Sequence, residues 1–136
     1  MKRFKRLASE IAQALLAEGF TVHRYDAVKT DSVYLKLDYG ACNSIRISDH
    51  AGYPHLKYRY NIGPWIESYA RVEDRFPRYF WPEAASEDLV AKCKADRESK
   101  LDWYGEQGYG EIMEKKRREA KRATTGFWTH ARRVKG

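Results

Sequence analysis

Hydrophobic residues recur every three or four positions from Phe4 through Leu7, Ile11 and Leu15, with Ala8, Ala12 and Leu16 widening the stripe. Lys2, Lys5, Glu10 and Gln13 take the other side of the wheel, the arrangement of an amphipathic helix that buries one face. Gly19 stands where a left-handed C-cap residue is wanted and Phe20 can pack back, so the spacing predicts a helix ending near Glu18. The period then shortens to two. Phe20 and Val22 alternate with Thr21, His23 and Tyr25. After a polar break from Lys29 to Ser32, Val33, Leu35 and Leu37 alternate with Tyr34, Lys36 and Asp38, again the pattern of half-buried strands. Tyr39 to Asn43 turns the chain into a strand around Ile45 and Ile47. Further on, Leu56, Tyr58, Tyr60 and Ile62 alternate with His55, Lys57, Arg59 and Asn61. The turn-rich stretch from Ser48 to Pro54 reads as a reversal, so residues 44–62 are expected to form two antiparallel strands with Arg46, Lys57 and Arg59 on the outer face.

Beyond Gly63 and Pro64, the residues Trp65, Ile66, Tyr69 and Val72 offer a short helical face. The segment RFPRYFWP then sets Phe76, Tyr79, Phe80 and Trp81 between two prolines. Such aromatic density plugs the end of a core or, if exposed, forms a stacking platform or an anchor for a protein partner. Ser86 with Glu87 and Asp88 is a good helix start, its hydroxyl capping free amides and its acids complementing the dipole. Leu89, Val90, Cys93, Leu101 and Tyr104 give that helix its apolar side. Gly105, Gly108 and Gly110 loosen the chain before a second helical run from Glu111. The expected fold is α+β: an N-terminal helix packed on a three- to four-stranded antiparallel meander, followed by C-terminal helices. Residues 1–104 are expected to form a single α+β core domain, and 105–136 a basic helical extension of the same domain.

Charge sharpens the picture at one end of the chain. Of 136 residues, 26 are Lys or Arg and 19 are Asp or Glu, a net charge of +7 that favours anionic partners and argues against an acidic mimic of DNA. Nine of those cations and only three acids fall between Glu111 and Gly136, so nearly all of the net charge sits there, with Phe127 and Trp128 among it. Basic side chains interrupted by aromatics suit a phosphate backbone or an acidic groove. The binding candidates are therefore Lys115, Lys116, Arg117, Arg118, Lys121, Arg122, Arg132 and Arg133 in the tail, with Arg46, Lys57 and Arg59 on the sheet. The expected partner is nucleic acid or a nucleoprotein complex.

Cys42 and Cys93 lack the paired spacing of a zinc ribbon or redox dithiol, so free thiols, a reducing compartment and a cytoplasmic location are expected. Polar residues interrupt the N-terminal apolar run that a secretory signal needs, and no stretch reads as a membrane span. Scattered His and Cys give no metal-ligand spacing and no glycine-rich phosphate loop is present, so no cofactor is expected. Asp49 and His50, with Tyr53 and His55 nearby, form the one constellation suited to acid-base chemistry. Neighbours on extended chain point to opposite sides, so Asp49 more naturally caps the turn than orients His50. Two other readings stand beside binding without catalysis: a nuclease-like enzyme built on Asp49, His50 and His55, and a protein interaction module built on the aromatics of residues 76–81.

Two resemblances add to this. A helix ending in LLAEGF, then strands and a return to helix, resembles in order the double-stranded-RNA-binding domains and the HicA-type mRNA interferase toxins over residues 4 to about 95. The toxins carry a catalytic His in a Gly-Ser-His setting soon after that Gly-Phe, whereas His23 here stands in HRYD. The RNA-binding domains open their second helix on a basic cluster, whereas Ser86 to Asp88 here is acidic. The pattern SVYLKLD, SIRISDH, KYRYNI and RYFW, over residues 32–81, is similar to short proteins of phages and prophages. That resemblance implies a mobile-element accessory protein in the host cytoplasm, binding host machinery and inhibiting a defence system of the CRISPR type.

Overall fold

The N-terminal stripe forms α1 (Arg3–Ala17), which buries Phe4, Ala8, Ile11, Ala12 and Leu15. Its end is a Schellman motif: the Gly19 N–H donates to the Leu16 carbonyl at 2.9 Å and the Phe20 N–H to the Leu15 carbonyl at 3.1 Å. Gly19 has φ +87°, a conformation that costs a residue with a Cβ about 1–2 kcal/mol. The cap therefore turns the chain straight into the sheet, as the LLAEGF pattern predicts.

The structure, a computed structural model, describes residues 3–48, 60–63, 69–73, 76–82 and 86–136, of which 69–73, 76–78 and 80 by backbone alone. Seven strands form one sheet: β1 (Val22–Asp26), β2 (Val33–Leu37), β3 (Asn43–Ile47), β4 (Tyr60–Ile62), β5 (Tyr69–Glu73), β6 (Phe76–Trp81) and β7 (Arg132–Arg133). Their spatial order is β5-β6-β4-β3-β2-β1-β7. One row of alternate residues, Val22, Val33, Leu35, Leu37, Ile45 and Ile47, is fully buried and joins the apolar face of α1 with Leu89 and Cys93 in a single core. Each of those larger side chains contributes about 1.5–3 kcal/mol by leaving water. The fold is α+β, with the sheet one layer and the helices the other.

The sheet is mixed rather than purely antiparallel. β1, β2 and β3 form the expected meander, but β3 pairs with β4 in parallel, Ile45 opposite Tyr60 and Ile47 opposite Ile62. This corrects the antiparallel reading of residues 44–62. Alternation assigns faces and is blind to strand direction. The residues from 48 to 59 are about the dozen that a parallel crossover requires, more than a tight hairpin needs. A second correction concerns Tyr69 and Val72, which lie in β5 and not in a helix. β6 is the antiparallel partner of β5 and the parallel partner of β4. Tyr79 and Trp81 pack around the buried Tyr60 ring at centroid distances of 5.6 and 5.3 Å, the core-plug placement.

After β6 the chain enters α2 (Ser86–Arg122), which is broken at one residue, Gly105, with φ +76° and ψ +164°. Gly108 and Gly110 are helical, so the loosened stretch expected at 105–110 shrinks to a single kink. The short helix α3 (Phe127–His130) and β7 follow, and β7 extends the sheet beside β1. Both cysteines are free and buried, and burial pushes the Cys42 thiol up to about 11.

Both halves of α2 are tied to one carboxylate. Asp38, 0% exposed, accepts the Thr21 N–H at 3.0 Å on one oxygen and the Tyr109 hydroxyl at 2.6 Å on the other. Arg97, from the half before the kink, brings its Nε to 3.0 Å from the same carboxylate and rests its guanidinium on the Phe20 ring. Lys100 donates to the Ala41 carbonyl at 2.9 Å and also to that of Cys42, while Asn43 donates to Asp96 at 3.1 Å. Burial and then the bond to Asp38 hold the Tyr109 phenol well above its ordinary range.

Two expectations follow for stability in urea. Tyr109→Phe should lower the unfolding free energy by about 1.5–3 kcal/mol, the worth of a hydrogen bond to a charged group, and Asp38→Ala by about 3–5 kcal/mol, because it strands Arg97 and the phenol together. Gly105→Ala should cost about 1–3 kcal/mol, since its backbone region is almost closed to residues with a Cβ. Midpoints unchanged from the parent protein would refute this account of how α2 is held.

Candidate functional site

The second face of β1 and β2 carries His23 opposite Lys36 and Tyr25 opposite Tyr34, the alternation partners of the buried row. A polar face of this kind ordinarily meets water, but here the C-terminal arm folds over it. Trp128 sits edge-on to His23 at 4.9 Å, Phe127 stands perpendicular to Trp128 at 5.0 Å, and Lys36 lies 5.3 Å above the Phe127 ring. Phe127 and Trp128, the two aromatics among the cations of the tail, are thereby docked on this face of the sheet.

Tyr39 completes the cluster through an unusual turn. Asp38, Tyr39 and Gly40 all have positive φ, at +53°, +59° and +90°. Two successive residues with a Cβ in that region cost roughly 1–2 kcal/mol each, so the turn persists because the bonds to Asp38 hold it. The result is a division of side chains: Asp38 goes into the core and Tyr39 outward, 4.9 Å from the His23 ring and stacked on Trp128 at 6.2 Å with 26° between planes. His23, Tyr39 and Trp128 are each only partly covered.

Cations border the rings. Lys116 reaches Gly40 and Lys36, and burial, then the charge of Lys116, holds the Lys36 pKa below its usual value. Along the outer side of α2, Lys115, Arg118, Lys121 and Arg122 are exposed and have no carboxylate partner among the described residues. Lys115, Arg118 and Arg122 follow at three- and four-residue steps and so share one row, about 10 Å long at 1.5 Å per residue. Arg117 differs. It donates to Glu114 through Nε at 2.8 Å and Nη2 at 2.6 Å, a forked pair that pulls the Glu114 carboxyl down and uses up that charge.

Arg132 and Arg133 fall on opposite sides of β7, as neighbours on a strand must. Arg133 lies opposite His23, beside the ring cluster, and Arg132 opposite Arg24 on the side of α1. Arg24, 5% exposed, forks onto Asp26 at 2.6 and 3.3 Å and donates to Ser9 at 2.8 Å, so its charge is spent within the fold. Arg46 corrects the sequence reading. It is 4% exposed instead of projecting from an outer face, and its Nη2 donates to Ser48 at 3.1 Å. Alternation shows which side of the strand it takes but not that the side is covered. Lys57 and Arg59 lie outside the described residues, as do Asp49, His50, Tyr53 and His55 and the side chains of Phe76 and Phe80. Among the described residues no group of three His, Cys, Asp or Glu is placed to hold a metal ion, and no helix is long and apolar enough to cross a membrane.

Sequence reasoning found the cations of α2 and the two tail aromatics but missed His23, Lys36 and Tyr39 as their neighbours. The one local signal was the DYG turn, whose glycine marks a left-handed backbone.

His23 also has a titration consequence. Its ring is partly buried, its Nδ1 is buried without a hydrogen-bond partner among the described residues, and burial, then Arg133, lowers its pKa below the ordinary 6.5. The folded protein thus binds this proton less readily than the unfolded chain does. Stability from this residue is fully present above about pH 6.5 and is lost as the pH falls through the window down to the depressed value. His23→Phe, which keeps a ring and removes the proton, should lose less stability than the parent between about pH 7 and pH 5 in chemical denaturation; equal losses would refute the burial of a neutral imidazole. No family model, curated protein or solved structure matches this chain.

Proposed function

We propose that the chain is a non-enzymatic binding protein whose basic half of α2 engages the phosphate backbone of nucleic acid, free or within a nucleoprotein. The observation that carries this is the row Lys115, Arg118 and Arg122, with Lys121 beside it, whose charges have no acid partner among the described residues, on the helix whose Lys116 reaches Gly40 at the edge of the ring cluster. An unpaired cation row releases counterions when it meets phosphates, and aromatic faces beside it add contact that does not depend on sequence. The phage-type resemblance over residues 32–81 extends the proposal to a mobile-element accessory protein acting on a defence nucleoprotein of its host.

Salt dependence is the test. On a single strand the logarithm of affinity should fall linearly with log salt, by about 0.7 for each phosphate neutralised. Replacing Lys115, Arg118 and Arg122 together by Ala should flatten the slope by about 2 while leaving thermal unfolding nearly unchanged, since exposed charges contribute little to folding. Glu114→Gln should act in the opposite direction, freeing Arg117 and steepening the slope by up to about 0.7. An unaltered slope in the triple variant would remove α2 from the interface.

A further inference from the structure

Beside the ring cluster, where α2 ends and α3 begins, the surface opens into a cleft of about 520 Å³. Its walls are the Tyr25 and Tyr34 rings on the sheet side and those of Phe127 and His130 on the arm side. Tyr25 is central, with ring centroids 5.9 Å from Tyr34, 6.3 Å from Phe127 and 5.9 Å from His130. Thr124, Thr125 and Thr129 supply the polar part of the lining. Thr129 donates to the Gly126 carbonyl at 2.7 Å, whereas no bond is made by the Thr124 and Thr125 hydroxyls among the described residues. The lining holds no Asp, Glu, Lys or Arg.

These properties select a class of ligand. The volume falls within the roughly 300–1,000 Å³ of pockets that take small organic groups, and walls of four rings with neutral hydroxyls suit a flat, uncharged, hydrogen-bonding heterocycle. A cation would find no carboxylate there, and a phosphate no cation within the walls. The cations stand just outside: Arg122 is two residues from Thr124, and Lys36 lies above the outer wall, Phe127. A ligand that is flat and neutral at one end and anionic at the other is a nucleotide. One held in a chain, with its neighbours' phosphates on α2, is a single-stranded nucleic acid. A base inside a duplex is stacked and paired and cannot offer its faces to these rings.

Resting on the reading of α2 as a phosphate-binding row, we infer that this cleft seats an unpaired nucleobase, so that the chain recognises single-stranded nucleic acid by stacking as well as by charge. Stacking of this kind tolerates different bases, because every base has a π face. The Thr124 and Thr125 hydroxyls supply directional bonds to the edge of whichever base enters.

The experiment compares two probes of equal charge by fluorescence anisotropy at fixed salt, using the full chain: a single-stranded oligodeoxynucleotide of about a dozen nucleotides, and the same backbone with every base replaced by an abasic sugar. Tighter binding of the base-bearing strand, by about 5- to 100-fold, is expected. In Thr125→Trp, where an indole would fill the cleft from an exposed position, and in Phe127→Ala, where a wall is lost, that ratio should collapse toward one. The ratio in the parent protein needs no variant to fold, and circular dichroism of each variant establishes that α3 has not simply undocked. Equal affinity of the parent for both probes would overturn the cleft and leave the α2 row standing. A ratio that survives in both folded variants would place base contact elsewhere and overturn the cleft as well. Absence of binding to either probe would overturn the α2 reading, and this inference with it.

Discussion

A buried carboxylate with several partners constrains where they can be, and Asp38 has partners from three places in the chain. Thr21 at the entrance to β1, Arg97 before the kink of α2 and Tyr109 after it all meet at that one side chain. Burying a carboxylate costs several kcal/mol unless charge and hydrogen bonds replace the lost water, so these partners are required together. Once they are in place, the second half of α2 can leave Gly105 in only one direction. That direction carries Lys116 past Gly40 and Arg117 toward Tyr39.

The same knot supports the turn that turns Tyr39 outward. Two consecutive left-handed residues with side chains would relax if Asp38 were free, so the strain at the surface is balanced by bonds in the core. Stability and the candidate surface are therefore coupled, and a substitution at Asp38 acts on both. The cysteines and Arg24 are different in kind: the two thiols are buried, the guanidinium charge is spent on Asp26 and α1, and neither contributes to the exposed face.

Electrostatics along α2 are graded, not uniform. Arg117 is forked onto Glu114, while Lys115, Arg118, Lys121 and Arg122 keep their charge for solvent. A count of basic residues overstates the field in one place, and the geometry shows which side chains remain available. At the sheet, Lys36 and Arg133 extend the positive border to the His23 ring, whose proton affinity is lowered by burial first and by Arg133 second.

Local patterns in the sequence determined a good deal. The helix stripe and Gly19 set α1 and its cap, the period of two set which residues of β1, β2 and β3 face the core, and Ser86 with its two acids set the start of α2. All of these depend on contacts within a few residues or on which side of one element is apolar. Charge counting likewise marked the tail, because net charge needs no fold. Other features were decided only when distant segments met. The parallel pairing of β3 with β4, the strand at residues 69–73, the burial of Arg46, and the return of residues 127–133 onto β1 depend on which layer covers a face and which edge is left open. Alternation is the same for parallel and antiparallel strands and for covered and solvated faces. The grouping of His23, Lys36, Tyr39 and Trp128 is the plainest case: 105 positions separate its ends, and the sheet edge brings them within a few ångströms.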